Sequence, residues 1–211
     1  MHTYDAVVVG SGQGGNPLAV AIAGQGGKVA LIESDLLGGT CVNTGCTPTK
    51  TMVASAQVAH YARNAARWGV RAGAVSVDLP AILKRKDEVV EGSRSGWPKK
   101  FDKNKVDVYR ERARFVGTRK IKAGEHTLEG ARIFITTGAA PAIPRIEGLD
   151  AVPYLTNASL IELRELPEHL IVLGGGYIGL EFGQMFRRFG SAVTIIQSGP
   201  RILPREDEDV T

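Results

Sequence analysis

Two stretches of this chain follow one plan, and that plan limits the fold more than any other feature. From Tyr4, YDAVVVG is a short apolar run rich in β-branched residues, the composition of a buried parallel strand. It ends in Gly10-Ser11-Gly12-Gln13-Gly14-Gly15, passes into a helical stretch through about Gln25, and resumes as a strand, KVALIE, ending in Glu33. Much later, HLIVLGGGYIGLEFGQMFRRFGSAVTIIQ gives a strand, then Gly174-Gly175-Gly176-Tyr177-Ile178-Gly179, a helix to about Phe189, and a strand ending at Gln197. Glu33 lies 23 residues after Gly10, and Gln197 lies 23 residues after Gly174. The same strand–turn–helix–strand unit is written twice.

Chemistry explains the residue types. Gly10 permits a tight turn, Gly12 lets the backbone approach a pyrophosphate, and Gly15 lets helix and strand pack closely. Gln13 and Gly14 complete that turn, and the helix behind it offers free N–H groups and a partial positive charge to phosphates. Glu33 is placed to accept hydrogen bonds from an adenosine ribose. Together these features predict dinucleotide binding. In the second unit Gly174, Gly176 and Gly179 repeat the spacing around Tyr177 and Ile178, but Gln197 stands where the first unit has an acid. Losing the acid removes its repulsion of a 2′-phosphate, and Arg201, with Arg205 behind it, offers a matching positive charge. The second site therefore leans towards NADPH over NADH.

Between the units lies GGTCVNTGCTPTK, Gly38 to Lys50, which holds both cysteines of the chain, Cys41 and Cys46. Pro48 suits the first turn of a helix, and the sequence continues helically to about Trp68. Cys46 is thereby placed at a helix start, where the dipole favours a thiolate, with Cys41 on the preceding loop. Two thiols this close point to redox chemistry or to a chance pair of small buried hydrophobes. The spacing alone does not separate these. The glycines, the helix start and the two nucleotide units favour the redox pair.

Hydrophobic residues at 43% and charged residues at 23% of 211 fit an ordinary globular α/β protein. No apolar run approaches the ~20 residues of a membrane span, and the N-terminus lacks a basic leader. A cytoplasmic location is expected, with no membrane partner. The net charge of +4 comes from basic residues between Lys84 and Lys122, including Lys86. Acids are interleaved with them and no nucleic-acid motif accompanies them, so a solvated helix face is predicted and no nucleic-acid partner. Two thiols without nearby ligands do not make a metal site.

The segment GGTCVNTGCTPTK, together with ARIFITTGAAP and GGGYIGLEFG in that order and spacing, closely resembles the class I pyridine nucleotide-disulfide oxidoreductases: dihydrolipoamide dehydrogenase, glutathione reductase and mercuric reductase. The resemblance covers the whole chain, and TKTM with AQVAHYAR leans towards the mercuric reductase-like branch. It implies that the first unit binds FAD. Cys46 is then the flavin-proximal thiol and Cys41 the interchange thiol that meets substrate. Lys50 corresponds to the lysine near the flavin ring, Glu181 to its ion-pair partner, and Tyr177 to the aromatic that covers the flavin. Gly39 and Thr40 belong to the FAD-lining part of the cysteine segment, and Ala113 and Thr137-Gly138 match backbone positions lining FAD. Gln197 departs from the Glu usual in NAD-dependent dihydrolipoamide dehydrogenases.

The expected layout is an FAD-binding Rossmann-like domain over 1–140, a crossover linker over 141–168, and the beginning of a second Rossmann-like domain, for the nicotinamide nucleotide, over 169–211. A helix is expected near 80–105 and strands from 106 to 138. Met1 opens directly on the first strand, so no preceding metal-binding domain is expected. One βαβ unit leaves apolar faces open, and by resemblance the whole enzyme is a homodimer that continues for roughly as long again. His2, His60, His126 and His169 are expected to be structural or exposed. The leading function is electron transfer from NAD(P)H through FAD to a Cys41–Cys46 disulfide and on to a disulfide, metal ion or other small substrate. The alternatives are an FAD-binding module without turnover, an NAD-dependent dihydrolipoamide dehydrogenase, and a metal-handling protein.

Overall fold

The structure, a computed structural model, describes residues 1–210. In chain order its elements are β1 (His2–Val9), α1 (Gly15–Gly24), β2 (Val29–Ile32), α2 (Gly39–Asn43), α3 (Cys46–Arg63), α4 (Leu79–Asn104), β3 (Asp107–Tyr109), β4 (Ala113–Gly117), β5 (Lys120–Ala123), β6 (His126–Ile135), α5 (Asn157–Leu160), β7 (His169–Leu173), α6 (Tyr177–Phe189) and β8 (Ala192–Ile196). Two differences from the sequence reading are local. Helix α3 stops at Arg63, and Ala65–Trp68 forms a separate 3-10 turn. Asn64 follows the helix, with its backbone N–H and its side-chain amide both donating to the His60 carbonyl, at 3.1 and 2.8 Å. Cys41 lies inside the short helix α2, not on a loop.

The chain divides into two compact units, Met1–Pro48 with Glu88–Pro153, and Thr49–Asp87 with Tyr154–Thr211; α3 and α4 each contribute to both. The first unit is built on a six-stranded sheet of order β3-β2-β1-β6-β5-β4. β3, β2, β1 and β6 run parallel, while β5 and β4 return antiparallel. The two-residue period of a strand sends Ala6 and Val8 of β1, with Val29 and Leu31 of β2, to one face. There they pack with Ala19 of α1 and Phe101 of α4. Val7, Ala30 and Ile32 point to the other face, among Tyr4, Ile121, Ala123 and Leu128. A strand buried on both faces reads as a continuous apolar run, which is why YDAVVVG looks as it does.

The second unit holds the parallel pair β7–β8 with α6. Phe182, Met185, Phe186 and Phe189 of α6 are buried with Met52 and Ala56 of α3, Leu79 and Leu83 of α4, and Leu160 and Ile161. The opposite face of the strand pair is open: Ile171, Leu173 and Ile196 are each about half exposed. Lys86 corrects the expectation of a solvated basic face, since it is only 1% exposed. Its ammonium donates to the Ile161 carbonyl at 3.2 Å and to Glu162, and lies 2.9 Å from Asp87 Oδ1. A buried charge is tolerated only when paired this fully. No helix among the described residues is long and apolar enough to cross a membrane.

Candidate active site

Both glycine turns are held in the same way. In the first, Gly10 has φ 103°, its N–H donates to the Ile32 carbonyl at 2.8 Å, and Asn16 N–H closes onto the Gly12 carbonyl at 3.1 Å. In the second, Gly174 has φ 109°, its N–H donates to Ile196 at 2.8 Å, and Leu180 N–H closes onto Gly176 at 3.0 Å. A Cβ on Gly15 would lie 1.9 Å from the Gly10 carbonyl oxygen, and one on Gly179 would lie 2.3 Å from that of Gly174. Each helix can begin this close to its strand only without a side chain.

The residue ending the second strand of each unit reaches back to its turn. Glu33 Oε2 accepts the Ser11 N–H at 2.8 Å, and Gln197 Oε1 accepts the Gly175 N–H at 2.8 Å. Glu33 Oε1 also takes the Asp35 N–H at 2.8 Å. Burial pushes the Glu33 carboxyl up, but the amides of Ser11 and Asp35 outweigh it and hold the group below its ordinary value. Beyond β8, Leu203 N–H donates to the Gly175 carbonyl at 2.9 Å, so the 199–205 segment folds back on the second turn. That segment carries Arg201, whose Nη1 lies 3.4 Å from Glu208.

The first unit fits a dinucleotide. A Cβ on Gly12 would meet nothing nearer than Gly39 Cα at 3.9 Å, and Gly14 caps α1 without a side-chain hydrogen bond. Gln13 and Gly14 are exposed beside that helix start. Asn16, fully buried in the first turn of α1, has neither side-chain nitrogen nor oxygen partnered. Such a buried amide is a polar demand that a bound group or water meets. Thr136 Oγ1 donates to the carbonyls of Val9 and Gly10, both at 2.9 Å, which seats the exposed Thr137 and Gly138 next to the turn. Ala113 starts β4 and lines an open cavity of about 520 Å³ with Arg112, Arg114, Lys122 and Gly124.

Gly38 N–H donates to Ser11 O at 2.9 Å and to Ser11 Oγ at 3.2 Å, which fastens the cysteine segment to the first glycine turn. Gly39 lies so close to Gly12 that its own Cβ would fall 2.6 Å from the Gly12 Cα. Thr40 is exposed, Cys41 half-buried in α2, and Cys46 exposed as the first residue of α3. Both cysteines are free thiols here. Burial, and then the contact with Cys46, pushes the Cys41 thiol up. In the second unit Lys50 donates to Glu181 of α6. Tyr177 and Ile178, at the start of α6, are exposed, with Tyr177 72% accessible. Sequence reasoning did not single out Ser11, Asn16, Asn43 or Thr136. Ser11 and Asn16 sit inside the fingerprint at positions its glycine pattern leaves open, whereas Thr136 lies 126 residues from Gly10 and carries no local signal.

The chain is similar to proteins of one kind. The family model for pyridine nucleotide-disulphide oxidoreductases matches residues 4–211. The mercuric reductase of Lysinibacillus sphaericus is 35% identical over 99% of this chain and 38% of its own length. The dihydrolipoyl dehydrogenase of Chlorobaculum parvum is 39% identical over 99% of this chain and 45% of its own. Among solved structures, the HOCl-induced flavoprotein disulfide reductase RclA from Escherichia coli superposes with a TM-score of 0.84 at 39% identity, covering 98% of this chain and 45% of that one. The chain spans less than half the length of each of these proteins. With a Rossmann-like six-stranded sheet, a doubled dinucleotide turn and a cysteine pair tied to the first turn, the chain belongs to the pyridine nucleotide-disulphide oxidoreductase family.

Proposed function

We propose that the whole protein is a flavin-dependent oxidoreductase that carries two electrons from NADPH to the Cys41–Cys46 pair and on to a disulfide, metal ion or other small substrate. The observation that carries this reading is the tie between Gly38 and Ser11, which fixes the two thiols beside the turn that fits a dinucleotide. Bound there, FAD supplies the chemistry that links oxidation of a nicotinamide to reduction of a disulfide. Cleavage of the Cys41–Cys46 bond takes up two electrons and two protons and yields two thiols. Cys41 then attacks a substrate disulfide as thiolate, expelling one substrate thiol and forming a mixed disulfide. Cys46 attacks the Cys41 sulfur, releases the second substrate thiol and restores the internal disulfide. Cys46 stands exposed as the first residue of α3. The Lys50–Glu181 pair holds a cation four residues further along α3, and Tyr177 stands exposed where α6 begins, ready to meet a nicotinamide ring.

Gln197 supports NADPH over NADH. Its amide makes the turn contact that Glu33 makes with a carboxylate, so the frame is kept without a negative charge at the ribose. Arg201 supplies positive charge nearby in sequence. Gln197 also speaks against an NAD-dependent dihydrolipoyl dehydrogenase. Metal-ion substrates stay within the reading because relatives are named mercuric reductases and solved RclA structures include Cu(II) complexes; a dithiol is a soft-metal ligand. The test is the absorption spectrum of the purified protein with FAD, before and after addition of two electrons. A long-wavelength band on reduction is expected. It should vanish in Cys46→Ser and persist in Cys41→Ser. No band in the parent would overturn the function, and the reverse pattern would exchange the roles of the thiols.

A further inference from the structure

Asn43 is the last residue of α2, two positions after Cys41. Its Nδ2 donates to the Gly39 carbonyl at 3.0 Å and also reaches those of Leu37 at 3.1 Å and Leu36 at 3.3 Å. Two hydrogens are thus shared among three carbonyls. All three belong to the segment that Gly38 ties to Ser11. The other end of the amide is also taken: Oδ1 accepts Nη1 of Arg94 at 3.3 Å, from α4, 51 residues away. Arg94 is itself oriented by Glu91 one turn earlier, through Nε at 3.1 Å and Nη2. A charged donor on Oδ1 polarises the amide and strengthens what Nδ2 gives to the carbonyls. The guanidinium is paired with Glu91, so its net field at the thiols is small and its influence is geometric.

We propose that Arg94 is a positioning residue for the cysteine pair: through Asn43 it fixes residues 36–39 and helix α2, and so sets the aim of the Cys41 thiol. The inference rests on the reading of Cys41 as the thiol that meets substrate. Nothing in the local sequence announces it, because Arg94 lies in a run of charged and small residues on a long helix.

The chain has two cysteines, so Cys46→Ser leaves Cys41 as its single thiol. In that background the rate of reaction with an aromatic disulfide reagent, followed by release of the coloured thiolate across pH 6–10, reads Cys41 directly. Arg94→Ala should raise the rate by about tenfold, the worth of one hydrogen bond from a charged donor. The pH midpoint should stay where it was. Arg94→Lys, which keeps a cationic donor for Oδ1, should stay within about twofold of the parent. Asn43→Ala should match Arg94→Ala, and the double variant should add nothing, the signature of residues acting through one contact. Should Asn43→Ala fail to fold, Asn43→Asp keeps the acceptor for Arg94, removes the donors to the carbonyls and should show the same acceleration. An Arg94→Ala rate equal to the parent's, additive effects, or a shifted midpoint would each overturn the proposal. A merely structural role would lower the melting temperature without this rate pattern. The assay needs neither flavin nor turnover, so its failure is distinguishable from that of the proposed function, which is read from the flavin spectrum.

Discussion

Alanine at Gly15 should damage the first unit's fold, whereas alanine at Gly12 should leave the fold intact and weaken FAD binding. A Cβ on Gly15 would lie 1.9 Å from the Gly10 carbonyl oxygen and 2.7 Å from Thr136 Oγ1, against the 3.0 Å that real Cβ atoms keep. The nearer partner is backbone, and the turn is held by Gly10 N–H to Ile32 and by Thr136 Oγ1 to Gly10. It cannot give way without breaking those bonds. Overpacking of this kind costs about 1–3 kcal/mol, and a backbone clash belongs at the upper end. The helical preference of Ala over Gly returns about 0.5–1 kcal/mol. A net loss of about 2 kcal/mol lowers the melting temperature of a chain this size by roughly 4–8 °C. At Gly12 the nearest atom to an added Cβ is 3.9 Å away and φ is not left-handed. Stability there should change by less than about 1 kcal/mol, upward if at all, because Ala narrows the unfolded ensemble. On the proposed function, the methyl group instead stands where the phosphates of FAD meet the turn. Losing one charge-assisted N–H contact, about 1.5–3 kcal/mol, weakens FAD roughly ten- to hundredfold. Thermal melts of the flavin-free proteins and flavin fluorescence titrations separate the two effects. A Gly15→Ala variant melting with the parent, or a Gly12→Ala variant binding FAD as the parent does, would refute the division of roles.

Three further outcomes follow from single side chains. Gln197→Glu should shift kcat/KM towards NADH by placing a carboxylate opposite the 2′-phosphate; a parent already at least as good with NADH would sink the NADPH reading. Glu33 has a folded pKa below its ordinary 4.5, so its stabilisation is full above about pH 4.5 and is lost as pH falls through the lower folded value. Glu33→Gln should flatten that acid limb in melting curves taken from pH 6 to 3, and unchanged limbs would count against the Ser11 and Asp35 contacts. Glu162→Ala removes one of the two carboxylates that pair the buried Lys86 ammonium, leaving Asp87 and the Ile161 carbonyl, and should cost about 1.5 kcal/mol in urea unfolding, whereas Lys86→Met, which releases two exposed carboxylates to water, should be near neutral.

The elements with a local cause were legible in the sequence. Both glycine turns, the acid at Glu33, and the start of α3 at Cys46 all follow from patterns within a few residues. The helix over 79–104 and the strands after it follow in the same way. What stayed hidden are contacts between distant segments. A helical period shows that Phe182, Phe186 and Phe189 face a core, but not that Met52, Ala56, Leu79 and Leu83 form the other side of it. Lys86 sits in a run of charges whose neighbours are solvated, and only its distant partners at Ile161 and Glu162 explain its burial. Asn43 lies in a segment whose cysteines draw attention, yet its role depends on Arg94, 51 residues away. α2 is five residues long, too short for a helical period to show, so Cys41 reads as loop.

The repetition of the βαβ unit gives a reason why its chemistry can diverge. The bonds that shape each turn are made by backbone: Gly10 to Ile32 and Gly174 to Ile196, both at 2.8 Å, with the helix closing at 3.1 and 3.0 Å. The one side-chain contact shared by both turns needs only an acceptor oxygen at the end of the second strand. Glu33 and Gln197 satisfy it equally at 2.8 Å. The frame therefore tolerates a change of charge at the end of the second strand without rebuilding the turn. What covers each turn is free to differ for the same reason. In the first unit the cover is Gly38 and Thr136, which bring a thiol pair and a second backbone wall; in the second it is Leu203, which brings an arginine. A backbone-built frame whose covers come from different segments lets one βαβ unit be written twice with different groups at its mouth.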